Sequence, residues 1–165
     1  MRETGSSGDA SSAGWERLRV QARAETNPLV EAQLYRLLGA ARDPVLARRA
    51  LDLALTDEPG ATTSAGIVSA VASEHPDLAF DWAMENREKV EGLVDISSRS
   101  RYFAGLASGS SDPAMVAKLQ DYAARHMTPE SRRPADTAIA SIEDRVRVRR
   151  ERLPAITAWL EAKAS

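Results

Sequence analysis

NPLVEA (residues 27–32), DPVLARRA (43–50), HPDLAFDW (75–82) and DPAMVAKL (112–119) share one opening. A polar residue is followed by proline and then by apolar residues at helical spacing. Proline suits the first turn of a helix, because the N–H it lacks would have no partner there and its fixed φ is already helical. Asn27, Asp43 and Asp112 suit the position before it, where a side-chain oxygen accepts an orphan N–H. His75 is a poorer cap. The four stretches predict four helix starts.

Pro28, Pro44, Pro76 and Pro113 stand 16, 32 and 37 residues apart. A helical hairpin fills about 34 to 47 residues in known solenoid repeats. The spacings read as one helix, a pair and a pair, the irregular period of a HEAT-like stack. Apolar stripes agree: Leu46, Ala50, Leu51 and Ala54; Ile67, Val68 and Val71; Met115, Leu119, Tyr122 and Ala123. Ile139, Ile142, Val146, Leu153 and Leu160 fall close to one face of a last long run, which Pro154 is expected to kink or split. Breakers such as TDEPGATT (56–63) and ASGSSDP (107–113) separate the runs. No stretch sustains period-2 alternation. The expectation is an all-α chain, a HEAT/armadillo-like α-solenoid of about nine or ten helices. It forms a single helical-repeat domain over residues 14–165, after a Gly/Ser-rich flexible tail over residues 1–13.

Bulk properties narrow the function. The chain has 165 residues, 43% hydrophobic and 28% charged, as in an ordinary globular domain with a real core. A net charge of −2 argues against bulk capture of nucleic acid, which needs a basic face. There is no cysteine, so disulfides and thiolate metal sites are excluded. No apolar run is long enough for a membrane span, and residues 1–14 lack the apolar stretch of a signal peptide. The compartment stays open.

Catalytic motifs are missing. A helix-borne zinc site of the H-E-x-x-H type needs two histidines one turn apart and a glutamate to activate water. The chain has two histidines, His75 and His126, far apart and followed by Pro76 and Met127. They read as loop or helix-end residues. No G-x-S-x-G, P-loop or G-x-G-x-x-G occurs. RVRVRRER (145–152) is the strongest charge run, diluted by acidic neighbours, and reads as a solvated or salt-bridged helix. In SRSRYF (98–103), Arg99 and Arg101 stand beside Tyr102 at a helix start, a candidate contact for an anion or carboxylate.

The order of pieces resembles a known domain. GWERLRVQARAETNPLVEAQLYRLLGAARDPVLARRALDLAL (14–55), HPDLAFDWAMENREKV (75–90), SRSRYFAGLA (98–107), DPAMVAKLQDYAARH (112–126) and RVRVRRERLPAITAWL (145–160) resemble the C-terminal helical domain of the zinc aminopeptidase family. That family includes alanyl aminopeptidase, puromycin-sensitive aminopeptidase and the endoplasmic reticulum aminopeptidases. The resemblance implies an α-solenoid that packs on a separate zinc-bearing catalytic domain of the same parent chain and shapes the access of peptide substrates. It implies no catalytic residue, metal or cofactor in this chain, and zinc in the parent. Arg99, Arg101 and Tyr102 become candidate peptide contacts. The family's catalytic domain binds the substrate amine with G-x-M-E-N; here WAMEN (82–86) lacks the glycine and lies within a helical repeat, so no substrate role passes to Glu85.

The alternative is a free-standing α-solenoid that binds a protein partner through an exposed apolar patch. A small helical enzyme is a poor third, since it would need a buried carboxylate cluster in a pocket.

Overall fold

Asn27, Asp43 and Asp112 each stand in extended backbone and accept the N–H two residues on, from Leu29, Val45 and Ala114. Behind them run α2 (Pro28–Gly39), α3 (Pro44–Ala54) and α8 (Pro113–His126). His75 offers no side-chain cap to α5 (Pro76–Glu85); its Nε2 sits 2.9 Å from the Ala41 carbonyl oxygen instead. The other helices are α1 (Ser7–Ala24), α4 (Ala61–Glu74), α6 (Arg87–Glu91), α7 (Arg99–Ala107), α9 (Arg133–Arg147) and α10 (Leu153–Ala164). This computed structural model describes residues 7–164, and the described chain is all α, without a strand.

Of the tail expected over residues 1–13, residues 1–6 lie outside the described residues, and from Ser7 the chain is helical. Small residues here do not oppose a helix already nucleated around Trp15, and Ser12 accepts a hydrogen bond from Arg49 Nη1 at 3.2 Å. The helical chain divides into two compact units, Met1–Ile96 and Ser97–Ser165.

In the first unit α1 packs on α2, α2 and α3 pack on α4, and α4 packs on α5. Trp15, Tyr35, Leu38, Leu51, Ile67, Phe80 and Trp82 are buried there. α2 and α4 meet at Gly39, where a Cβ would lie 2.7 Å from the Ile67 carbonyl oxygen. Only glycine lets the two backbones approach so closely.

One carboxylate ties three segments together. Glu58, between α3 and α4, accepts from Arg19 of α1 through Nε at 3.1 Å and Nη2 at 2.7 Å, and from the Tyr35 hydroxyl of α2 at 3.2 Å. Hydrogen bonding from the Arg19 guanidinium outweighs burial and holds the Glu58 carboxyl below the usual carboxylate range. Burial, aided by the Glu58 charge, pushes the Tyr35 hydroxyl up to about 12.

The second unit is built on α7, α8 and α9, with α9 packed on both others. Phe103, Leu106, Met115, Leu119, Tyr122 and Ile142 are buried, and the Phe103 and Tyr122 rings lie 5.3 Å apart. Pro154 does interrupt the last long run. It removes an N–H and crowds the carbonyl four residues back, and the preceding segment Val148–Arg152 opens into a π-helical turn. A π turn inserts one residue, so the helix beyond it is rotated by about 100° relative to an uninterrupted one. The stripe that sequence places on one face is divided: Ile139 and Ile142 are buried, whereas Leu153 and Leu160 are exposed on an α10 that is open on every side from Leu153 to Lys163.

Glu58 and Gly39 each carry a measurable share of stability. The folded-state pKa of Glu58 is depressed, so its contribution is full above the ordinary value of 4.5 and is lost as pH falls through the lowered value. Glu58→Gln is expected to cost about 1 kcal/mol at pH 7 and to flatten the acid limb of a urea-denaturation series taken between pH 3 and pH 7. Gly39→Ala is expected to cost about 1–3 kcal/mol in the same measurement, since the new Cβ meets backbone that cannot swing aside.

Candidate functional site

The spacing of α7 places Arg101, Ala104, Gly105 and Ser108 along one side, at i, i+3, i+4 and i+7. α9 presents Arg133, Thr137, Ala138 and Ser141 in the same way. These residues, with Pro134, line a groove of about 440 Å³. Its direction is set by Arg145, late in α9, which donates through Nη2 to the Ser108 carbonyl and through Nη1 to the Ser110 carbonyl. The C-terminal end of α9 thus lies beside the C-terminal end of α7, and the two helices run parallel. Arg101 and Arg133 share the end where both helices begin, so two positive dipole ends add to two guanidinium charges. Among the described residues neither guanidinium has a hydrogen-bond or ion-pair partner.

Away from that end the lining is different. Thr137 donates its hydroxyl proton to the Arg133 carbonyl at 3.0 Å, Ser141 to the Thr137 carbonyl at 3.0 Å, and Ser108 to the Gly105 carbonyl at 2.8 Å. Each hydroxyl has one proton and spends it on its own helix, so only lone pairs remain for the groove. The site offers donors at one end and acceptors along its length.

Of the three residues singled out by sequence, Arg101 lines this groove. Arg99 and Tyr102 do not; two and one residues away on a helix, they point to other sides of α7, and the Tyr102 ring meets Phe103 edge-on at 5.9 Å. Arg133 escaped sequence reading because 32 residues separate it from Arg101 and no motif links them. The charge run divides too. Arg147 pairs with Asp144 and Arg150 with Glu151 on the exposed side, as a solvated helix should, but Arg145 is turned inward onto backbone carbonyls.

The remaining chemistry is structural. His75 faces the Ala41 carbonyl, and His126 stacks at 5.3 Å on Tyr122. In WAMEN, Trp82 is buried with Nε1 3.4 Å from Asp52 Oδ1, Asn86 donates to the Trp82 carbonyl, and Glu85 lies 4.0 Å from Arg48. Among the described residues no three His, Asp or Glu side chains converge as a metal site, and no helix is long and apolar enough to cross a membrane. A second groove, about 400 Å³ between α2 and α4, is lined by Leu37, Ala40 and Ala70 with Arg36 and Glu74.

The position of Arg145 yields a test. Arg145→Gln leaves the Ser108 and Ser110 carbonyls without their charged donor and is expected to cost about 1–3 kcal/mol. Arg147→Gln, which loses only an exposed pair, is expected to cost less than about 0.5 kcal/mol. Urea denaturation of both variants checks the difference.

Comparison with known proteins places these features in a family. The model of the ERAP1-like C-terminal domain matches residues 3–144. No match is found among curated proteins or among solved structures. The matched stretch takes in α1 to α8 and most of α9, including both walls of the groove. The chain belongs to the ERAP1-like C-terminal domain family, the C-terminal domains of ERAP1-like aminopeptidases.

Proposed function

We propose that this chain is the non-catalytic C-terminal domain of a zinc aminopeptidase, packs against the catalytic domain of the same parent, and shapes peptide access to its active site. The observation that carries the reading is α10. Every residue from Leu153 to Lys163 is exposed, and Leu153, Ile156, Trp159 and Leu160 leave about half or more of their surface open to solvent. A helix apolar on most of its sides is a helix made to be covered. The catalytic domain of the parent is the cover proposed. Stacked helical hairpins would supply the curved wall of a peptide chamber. Arg101, at the mouth of the α7–α9 groove, is the residue proposed to meet peptide; Arg99 and Tyr102 would do so only from another side of α7. Zinc belongs to the catalytic domain in this reading; here each histidine has a local partner of its own, the Ala41 carbonyl for His75 and the Tyr122 ring for His126.

An exposed α10 would also serve a free-standing α-solenoid that docks on another protein. An immunoblot of source cells with antibody to this chain separates the two. A polypeptide several-fold larger than 17.9 kDa, containing zinc and releasing N-terminal residues from peptides, is the expected result. In that protein Trp159→Asp should lower both thermal stability and peptide turnover, while leaving the helicity of the isolated chain unchanged. A native polypeptide near 17.9 kDa would overturn the aminopeptidase reading and leave the binding module.

A further inference from the structure

We propose that the α7–α9 groove binds an extended, acidic peptide segment, with two carboxylates paired to Arg101 and Arg133. The inference rests on the groove facing peptide, and it adds the chemistry of the ligand.

Charge comes first. Two guanidinium groups without partners among the described residues stand at the end where two parallel helices begin, which makes that end a pole for anions. A single carboxylate would balance half of it. The surrounding unit sharpens the field: residues 97–165 carry twelve Lys and Arg against eight Asp and Glu, although the whole chain is net negative.

Shape and hydrogen bonding come next. From Arg101 to Ser108, and from Arg133 to Ser141, each helix rises roughly 10–12 Å. An extended strand covers that length with about three residues. Along it Ser108, Thr137 and Ser141 present only acceptors, which suits the N–H groups of a peptide backbone and repels a second row of carboxylates. The floor is made by Ala104 and Ala138, both buried and too short to block it. At Gly105 a Cβ would meet nothing within 4 Å, so space for the strand is open there.

The test uses the full 165-residue chain, labelled with nitrogen-15 and titrated by NMR. The probe is a blocked pentapeptide of alanines with two adjacent glutamates; its controls carry two glutamines, or are pentaalanine with a free C-terminal carboxylate. Saturable shifts at the amides of Arg101, Gly105 and Thr137 are expected with the glutamate peptide, at least about fivefold weaker with either control. R101Q combined with R133Q should weaken binding about tenfold, and raising the salt should weaken it further. Gly105→Leu fills the groove with both charges intact and should abolish the shifts while circular dichroism stays unchanged. Equal binding of the glutamine peptide would overturn the proposal. So would equal binding of pentaalanine, which would give the site to a chain end, or undiminished binding by the Gly105→Leu chain. None of these outcomes depends on whether the chain belongs to an active aminopeptidase.

Discussion

Backbone N–H groups at the start of a helix have no carbonyl to bond, and the fold depends on how this chain answers that demand. At α2, α3 and α8 the answer is local: a proline removes one donor and an Asx side chain accepts another. The turn before α8 then passes the constraint onward. Ser110 is buried, its hydroxyl oxygen accepts the Asp112 N–H at 3.0 Å, and its carbonyl accepts from Arg145. The cap of α8 is thus knitted through one serine to the far end of α9. That connection adds to the apolar packing of α9 on α7, through Ala104, Ala107, Ala138 and Ile142, that lines up the two walls of the groove. A helix start, a loop and the end of a groove are joined by hydrogen bonds.

Much of this was legible because it is local. The Asx-Pro openings announce their helices within three residues, and the stripes of α3, α4 and α8 announce their buried faces within two turns. The family resemblance read from the same stretches agrees with the family that the chain matches. What could not be read is what distance in sequence hides. Arg19, Tyr35 and Glu58 converge from three segments, and none is unusual where it stands. Arg101 had a basic, aromatic neighbourhood to mark it, whereas Arg133 had only a place beside a helix start. Arg145 was misplaced for the opposite reason: five arginines within eight residues read as a solvated face, and nothing local says that one of them turns inward. At the N-terminus composition leaves the choice open, since small polar residues suit a linker and a helix extension equally well, and from Ser7 the described chain is helical.

The two units use arginine in different ways, and the difference tracks solvent access. Arg19 is half-buried and held by two oxygens of one carboxylate, so its charge is spent on stability. Arg49 lies 4.6 Å above the Trp15 ring and pairs with Glu16, covering the indole while it remains partly wet. Arg101 and Arg133 are exposed at the rim of the α7–α9 groove, and neither guanidinium is tied down among the described residues. The same side chain is spent on an ion pair, laid over a ring or left in solvent according to how much water it keeps.

The π turn at Val148–Arg152 makes helix phase a property of chain length in this one place. In a loop, gaining or losing a residue alters slack. Here it would act as a rotation: one residue fewer would swing every later side chain by about 100° and return Leu153 and Leu160 to the side that buries Ile142. The number of residues between Arg147 and Pro154 therefore sets the direction in which each side chain of the final helix points.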